Sequence, residues 1–118
     1  MLYIFIMSSR IDSLPSDIQA ALVQLGRSLE IARKRRRLRQ SDVAERLGIS
    51  RPTLDRLESG DPGVRLATLI GALWQYGLLD DITQSLSPDR DHVGLALEQS
   101  RLPSSVRLSG KTELSDDF

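Results

Sequence analysis

The sequence predicts an all-α protein built from five helices. Two observations carry that expectation. Apolar residues recur at spacings of three and four between Ile18 and Leu86. Each run is also bounded by residues that start or stop helices, namely Ser16, Gly48, Ser50, Gly60, Pro62, Gly63 and Gly77. No repeat or low-complexity tract interrupts the pattern.

The first helix is expected to be capped by Ser16, with Asp17 in its first turn. Ile18, Leu22, Leu25, Leu29 and Ala32 form its core stripe. It ends near Arg36 or Arg37, where the basic run complements the helix dipole. A second helix starts at Gln40 or Ser41 and turns Val43, Ala44 and Leu47 inward. It stops at Gly48, the residue type favoured in a left-handed C-terminal turn. Ile49 fills the gap that follows. Ser50 caps the third helix, and Pro52 lies in its first turn, where a missing N–H loses no partner. Leu54 and Leu57 face the core. The fourth helix spans Leu66 to Tyr76, with Leu66, Leu69, Ile70, Leu73 and Trp74 apolar, and Gly77 breaks it. Trp74 is expected in the core, and its amphipathic ring also suits a dimer seam. A short fifth helix runs from Leu79 to Leu86.

Residues 1–16 read as an N-terminal arm, 17–86 as the helical domain and 87–118 as a tail. The tail holds one short helix or strand near Val93 to Leu97 and is expected to be disordered after Ser109. The start, MLYIFIM, reads either as an over-extended start with Met7 as initiator or as a short pairing strand. It is too short for a membrane span and lacks the basic region and cleavage site of a signal peptide.

Composition narrows the chemistry. The 118 residues include no cysteine, which excludes disulfides and thiolate metal sites and suits a reducing cytoplasm. Net charge is zero, but it is unevenly placed. Between Arg27 and Arg51 nine basic residues stand against three acidic ones, a local +6. Between Asp80 and Phe118 four basic residues stand against eight acidic ones, a local −4. A polyanion responds to the local field, so the basic segment is compatible with nucleic acid. No glycine-rich phosphate loop and no nucleophile beside a base is present, so no catalytic residue, cofactor or metal is expected. His92 reads as an exposed loop histidine. Asp80 and Asp81 suit the dipole at a helix start.

The stretch QSDVAERLGISRPTLDRLESG, Gln40 to Gly60, places two short amphipathic helices on either side of a tight turn. A helix that reads DNA must stand clear of its domain, while a second helix crosses its back and anchors to phosphate. Ala44 allows close approach, Gly48 allows the turn, and Ile49, Leu54 and Leu57 supply the core. Ser50, Arg51, Asp55 and Arg56 remain outward.

This stretch resembles the helix-turn-helix of the lambda-repressor and Cro-like family, the XRE class. Counting from Gln40, that family has Ala in the fifth place, Gly in the ninth and an aliphatic residue in the fifteenth; here these are Ala44, Gly48 and Leu54. Arg56 to Gly60, RLESG, matches the E-x-G ending of the family's third helix, and ARKRRRLRQSDVAERLGIS matches its usual first-helix exit. The resemblance covers Ile18 to Leu86 and implies a five-helix lambda repressor-like fold that binds DNA. GDPGVRLATLIGALWQYGLLDDI and DHVGLALEQSRLPSSVR are similar to HipB-like antitoxins. That narrower likeness implies autorepression of a toxin–antitoxin operon, a homodimer on an inverted-repeat operator, and a HipA-like kinase toxin as partner. A free-standing repressor and a toxin-neutralising interaction module are the alternatives. No membrane role is expected, and the location would be the cytoplasm, at the nucleoid through DNA.

The expected DNA contacts are Lys34, Arg36, Gln40, Ser41, Ser50, Arg51, Pro52, Thr53, Asp55 and Arg56. Gln40 and neighbouring N–H groups can hold a phosphate. Arg51 and Arg56 can reach guanine O6 and N7, with phosphate as the alternative for Arg56. Ser50 serves as cap and phosphate donor. Asp55 accepts from cytosine N4, limits nonspecific affinity or pairs with Arg56. Pro52 can make only apolar contact, where many relatives carry a hydrogen-bonding side chain. Lys34 and Arg36 belong to a basic face that touches the backbone. Arg65 stands where the family usually has a Ser or Thr cap before the fourth helix. The resemblance also implies a partly buried ion pair between Arg33 and Glu58 that orients the third helix.

Overall fold

The computed structural model describes residues 14–101. Most of the expected arm, the tail from residue 102 and the disorder expected after Ser109 lie outside these residues. The chain divides into two compact units, one running to Asp80 and the other from Asp81. The described residues are helical, without a strand: α1 is Ser16–Arg35, α2 Gln40–Leu47, α3 Arg51–Glu58, α4 Leu66–Gln75, α5 Leu79–Ser85 and α6 His92–Arg101, with a single 3-10 turn at Pro88–Arg90.

α1 begins at Ser16, the residue expected to cap it, so its cap moves one residue earlier. Pro15 holds the position before the helix, its carbonyl accepts from the N–H groups of Ile18 and Gln19, and Ser16 is already helical. The buried face of α1 is Gly26, Leu29, Ala32 and Arg33. Ile18, expected in the core, is exposed, because α1 reaches beyond the helices that pack on it. Gly26 sits where α1 meets the end of α3. A Cβ there would lie 2.5 Å from the Glu58 carbonyl oxygen, so only glycine lets the two backbones approach this closely.

α2 and α3 follow the expected boundaries. Gly48 closes α2 in the left-handed region with φ 66°, and its own N–H and that of Ile49 bond back to Glu45 and Ala44. Ser50 caps α3 by accepting from the Thr53 N–H at 3.2 Å. Val43 and Leu54 are fully buried, and Leu29, Ala32, Leu57, Ala72, Leu73 and Tyr76 complete the core around them. The first unit is therefore held by α1, α2, α3 and α4 packed on one apolar centre.

α4 forms without a side-chain cap at Arg65, where the sequence lacks a Ser or Thr. It buries Thr68, Ala72 and Leu73. Trp74, expected inside, is exposed, and so are Leu66 and Ile70. α4 is apolar all round, so periodicity alone leaves open which stripe faces in.

In the second unit the structure resolves the helix-or-strand alternative near Val93 as α6. His92 opens that helix rather than lying in a loop. Asp91 caps it: its carboxylate accepts from the Gly94 N–H at 2.9 Å.

Tyr76 brings an unsatisfied polar group into the core. Its hydroxyl is buried and has no hydrogen-bond partner among the described residues. Burial pushes the phenol up to about 12 from its ordinary 10.0. The folded chain therefore keeps this proton where the unfolded chain has lost it. The corresponding stability is complete below the unfolded value and is lost as pH rises through the folded one. Tyr76→Phe removes an unpartnered hydroxyl and should keep neutral-pH stability within ~1 kcal/mol. It should also lose less stability than the native chain between pH 10 and about 12. Urea unfolding at neutral and alkaline pH measures both. A large loss at neutral pH would mean that the hydroxyl has a partner.

Candidate nucleic-acid interface

The site begins with a buried charge. Glu58, at the end of α3, is 8% exposed, and Arg33 of α1 is 7% exposed. Arg33 Nε donates to Glu58 Oε2 at 2.7 Å and a terminal nitrogen donates to Oε1 at 3.1 Å. The guanidinium's remaining reach goes to the Leu38 carbonyl at 2.8 Å. The hydrogen bond that Arg33 donates to Glu58 raises the Arg33 pKa, and burial opposes it. The pair is thus bidentate and more deeply buried than the sequence led us to expect.

Gln40 completes the arrangement from the head of α2. Its Nε2 donates to Glu58 Oε1 at 2.9 Å and to Asp55 Oδ1 at 3.2 Å. The amide nitrogen thereby has two carboxylate partners. Asp55 pairs with Gln40, not with Arg56. Consecutive helical residues point apart, so Arg56 turns to Thr53 Oγ1 at 3.1 Å and to Asp61 at 4.0 Å.

Outside this buried centre lies the exposed face. Ser50, Arg51, Pro52, Asp55 and Arg56 are all exposed on α3 and its cap, and Thr53 is half-buried beside them. Ser50 and Thr53 share a hydroxyl–hydroxyl bond of 2.8 Å, so both polar groups are fixed on the same turn. Arg33, Arg39, Gln40, Ser41 and Arg51 line one shallow depression at the head of α2. The structure therefore brings Gln40, Ser41 and Arg51 together from two helices. Arg39 joins them and was not among the expected contacts. It precedes α2 and is held by Asp42, whose carboxylate accepts from the Arg39 N–H at 3.0 Å and from its Nε at 3.2 Å. The Arg39 hydrogen bonds hold the Asp42 carboxyl below its usual range. The signal for Arg39 was present as a cation immediately before a helix start.

The basic run splits by role. Lys34 is exposed and 3.5 Å from Glu30, one turn earlier on α1. Arg37 is exposed and holds φ 55°, in the left-handed region that glycine favours, so the turn keeps a cation at some backbone cost. Arg36 is exposed and also bonds back to the fold. It donates to the Ala32 carbonyl at 2.8 Å and the Tyr76 carbonyl at 2.7 Å, with its guanidinium 5.7 Å from the Tyr76 ring centre. It closes the carboxyl end of α4, whose carbonyls lack intrahelical partners.

A short helix braced from behind, a left-handed glycine turn, and a capped second helix with exposed arginines define a helix-turn-helix DNA-binding protein. The chain belongs to the helix-turn-helix domain family, whose model, described as "Helix-turn-helix domain", matches residues 24–86, more than half of the chain. That match supports the XRE-like class and a DNA-binding regulator. No curated protein and no solved structure matches the chain. Among the described residues, no helix is long and apolar enough to cross a membrane.

Arg33→Ala strands a buried carboxylate and should cost about 3–5 kcal/mol in urea unfolding. Arg33→Lys should recover only part of this, because an ammonium cannot span both carboxylate oxygens and the Leu38 carbonyl. Full recovery by lysine would show that charge alone, without the fork, is what α3 requires.

Proposed function

We propose that the chain is a sequence-specific transcriptional repressor that binds an inverted-repeat operator as a homodimer. The observation that carries this reading is the exposed first turn of α3, with Ser50, Arg51 and Thr53 fixed beside the basic head of α2. In this reading Arg51 reads a guanine through two parallel donors. Ser50, Ser41 and the N–H groups of the α2 head hold phosphate, with Arg39 beside them. Lys34 and Arg37 add phosphate attraction. Arg56 reads a base or holds phosphate, Asp55 rejects mispositioned phosphate, and Pro52 offers apolar contact only.

The finer assignment is an autorepressing antitoxin with a HipA-like kinase toxin as partner, acting in the cytoplasm at the nucleoid. Its support is the sequence likeness from Gly60 to Ile82 together with the exposed Val93, Leu95 and Leu97 of α6, which offer apolar side chains beyond the DNA-binding helices. Domain limits of 1–16, 17–86 and 87–118 accompany this reading, with the last segment serving the partner.

Two substitutions separate reading from anchoring. Arg51→Ala should cost about 1–3 kcal/mol on the preferred duplex and flatten discrimination at one base pair per half-site. Lys34→Ala should weaken preferred and scrambled duplexes equally and lower the salt slope by about one. Titration of both variants on both duplexes at two salt concentrations tests this. Equal loss on both duplexes for Arg51→Ala would make Arg51 a phosphate clamp.

A further inference from the structure

We infer that the outer face of α4 is the contact between two copies of this chain, packed antiparallel about a twofold axis near Ile70. The inference rests on the reading of the chain as a dimeric DNA-binding regulator and names the surface that joins the copies. Leu66, Ile70 and Trp74 lie four residues apart on one stripe and are 71%, 37% and 66% exposed. With Ala67, Gly71 and Leu79 they line an apolar groove of about 540 Å³.

Charge selects the occupant. α4 runs LATLIGALWQ, without one charged residue. A twofold contact sets a surface against itself, so any charge near the axis would meet its own copy. A charge-free stripe avoids that cost. The helix is flanked by Arg65 at its start and is followed by Asp80. Antiparallel pairing centred on Ile70 sets Leu66 opposite the second copy's tryptophan. It also brings each Arg65 towards the tryptophan ring and the Asp80 end of the other copy. Parallel pairing would set Arg65 against Arg65. Ala67 and Gly71 are small and adjoin the large stripe, so each copy offers a shallow row for the other's large side chains.

Size sets the strength. The three exposed side chains offer roughly 300–400 Å² per copy. A standard interface takes about 800 Å² per partner. The α4 contact is therefore weak in free solution and is completed when two copies occupy neighbouring half-sites on one duplex.

The absence of cysteine allows a direct test with the full chain. Ile70→Cys places the introduced thiol beside its own copy at the axis. Mild oxidation, with and without a duplex selected by the protein from a random-sequence pool, should form the disulfide dimer at least about tenfold faster than a Glu45→Cys control on exposed α2. Trp74→Glu should abolish concentration-dependent dimerisation in sedimentation equilibrium and cooperative binding to a two-site duplex. It should leave single-site affinity and the thermal melt unchanged. Equal oxidation rates for the two cysteine variants, or undiminished dimerisation of Trp74→Glu, would overturn the inference. A strict monomer in which the thiol of the Ile70→Cys variant is shielded would also overturn it and give the groove to another segment of the chain. Fast coupling of the Ile70→Cys variant without any duplex binding would instead sink the DNA-binding reading and leave the α4 contact standing.

Discussion

Glu58 places a carboxylate in the interior of a small helical unit, where a lone charge is untenable. Its neutralisation decides where three helices meet. Arg33 arrives from α1 with two parallel donors, and Gln40 arrives from the head of α2 with a third. Because Glu58 is the last residue of α3, these bonds fix the far end of that helix. Ser50 fixes the near end through its cap. α3 is held at both ends, and its outward side is left to the solvent. Burial of Leu54 and Leu57 supplies cohesion, but apolar contacts slide and rotate more readily than a bidentate ion pair. The pair therefore gives orientation as well as stability.

The same centre explains why a chain without net charge can present a basic face. Acids and bases sort by position. Glu58 is neutralised by Arg33 and Asp42 by Arg39, while Asp55 keeps its charge and accepts from Gln40. Arg36 is drawn to the carbonyl end of α4. What remains outward near the helix-turn-helix includes Lys34, Arg37, Arg46, Arg51, Arg56 and the still-exposed side of Arg39. The neutral amide of Gln40 hydrogen-bonds two carboxylates, Glu58 and Asp55, at the junction of α2 and α3.

Much of this was legible in the residues. Gly48 and Ser50 mark their own positions because positive φ and an N-terminal cap each demand few residue types. The spacing of Val43, Ala44, Leu54 and Leu57 identifies the inner faces of α2 and α3 because the opposite faces are polar. α4 defeats the same logic. Its Leu66, Ile70 and Trp74 stripe is as apolar as its buried side, so burial there depends on which neighbours exist. Gly26 was hidden because a glycine inside a helix carries no sign of the backbone that crosses it. The inward bonds of Arg36 and Gln40 were hidden for a related reason. A long polar side chain near a charged face reads as a surface contact until a carbonyl end or a buried carboxylate is known to lie within its reach.

We propose that the braced α2–α3 face is the surface that meets DNA. Amide chemical-shift mapping of the full chain, titrated with a duplex selected from a random-sequence pool, tests it most directly. The account predicts that the largest shifts fall on Gln40 and Ser41 at the head of α2 and on Ser50, Arg51 and Thr53 at the start of α3, with Lys34 and Arg37 following. Shifts concentrated on α4 or α6, with the α3 amides unmoved, would contradict it.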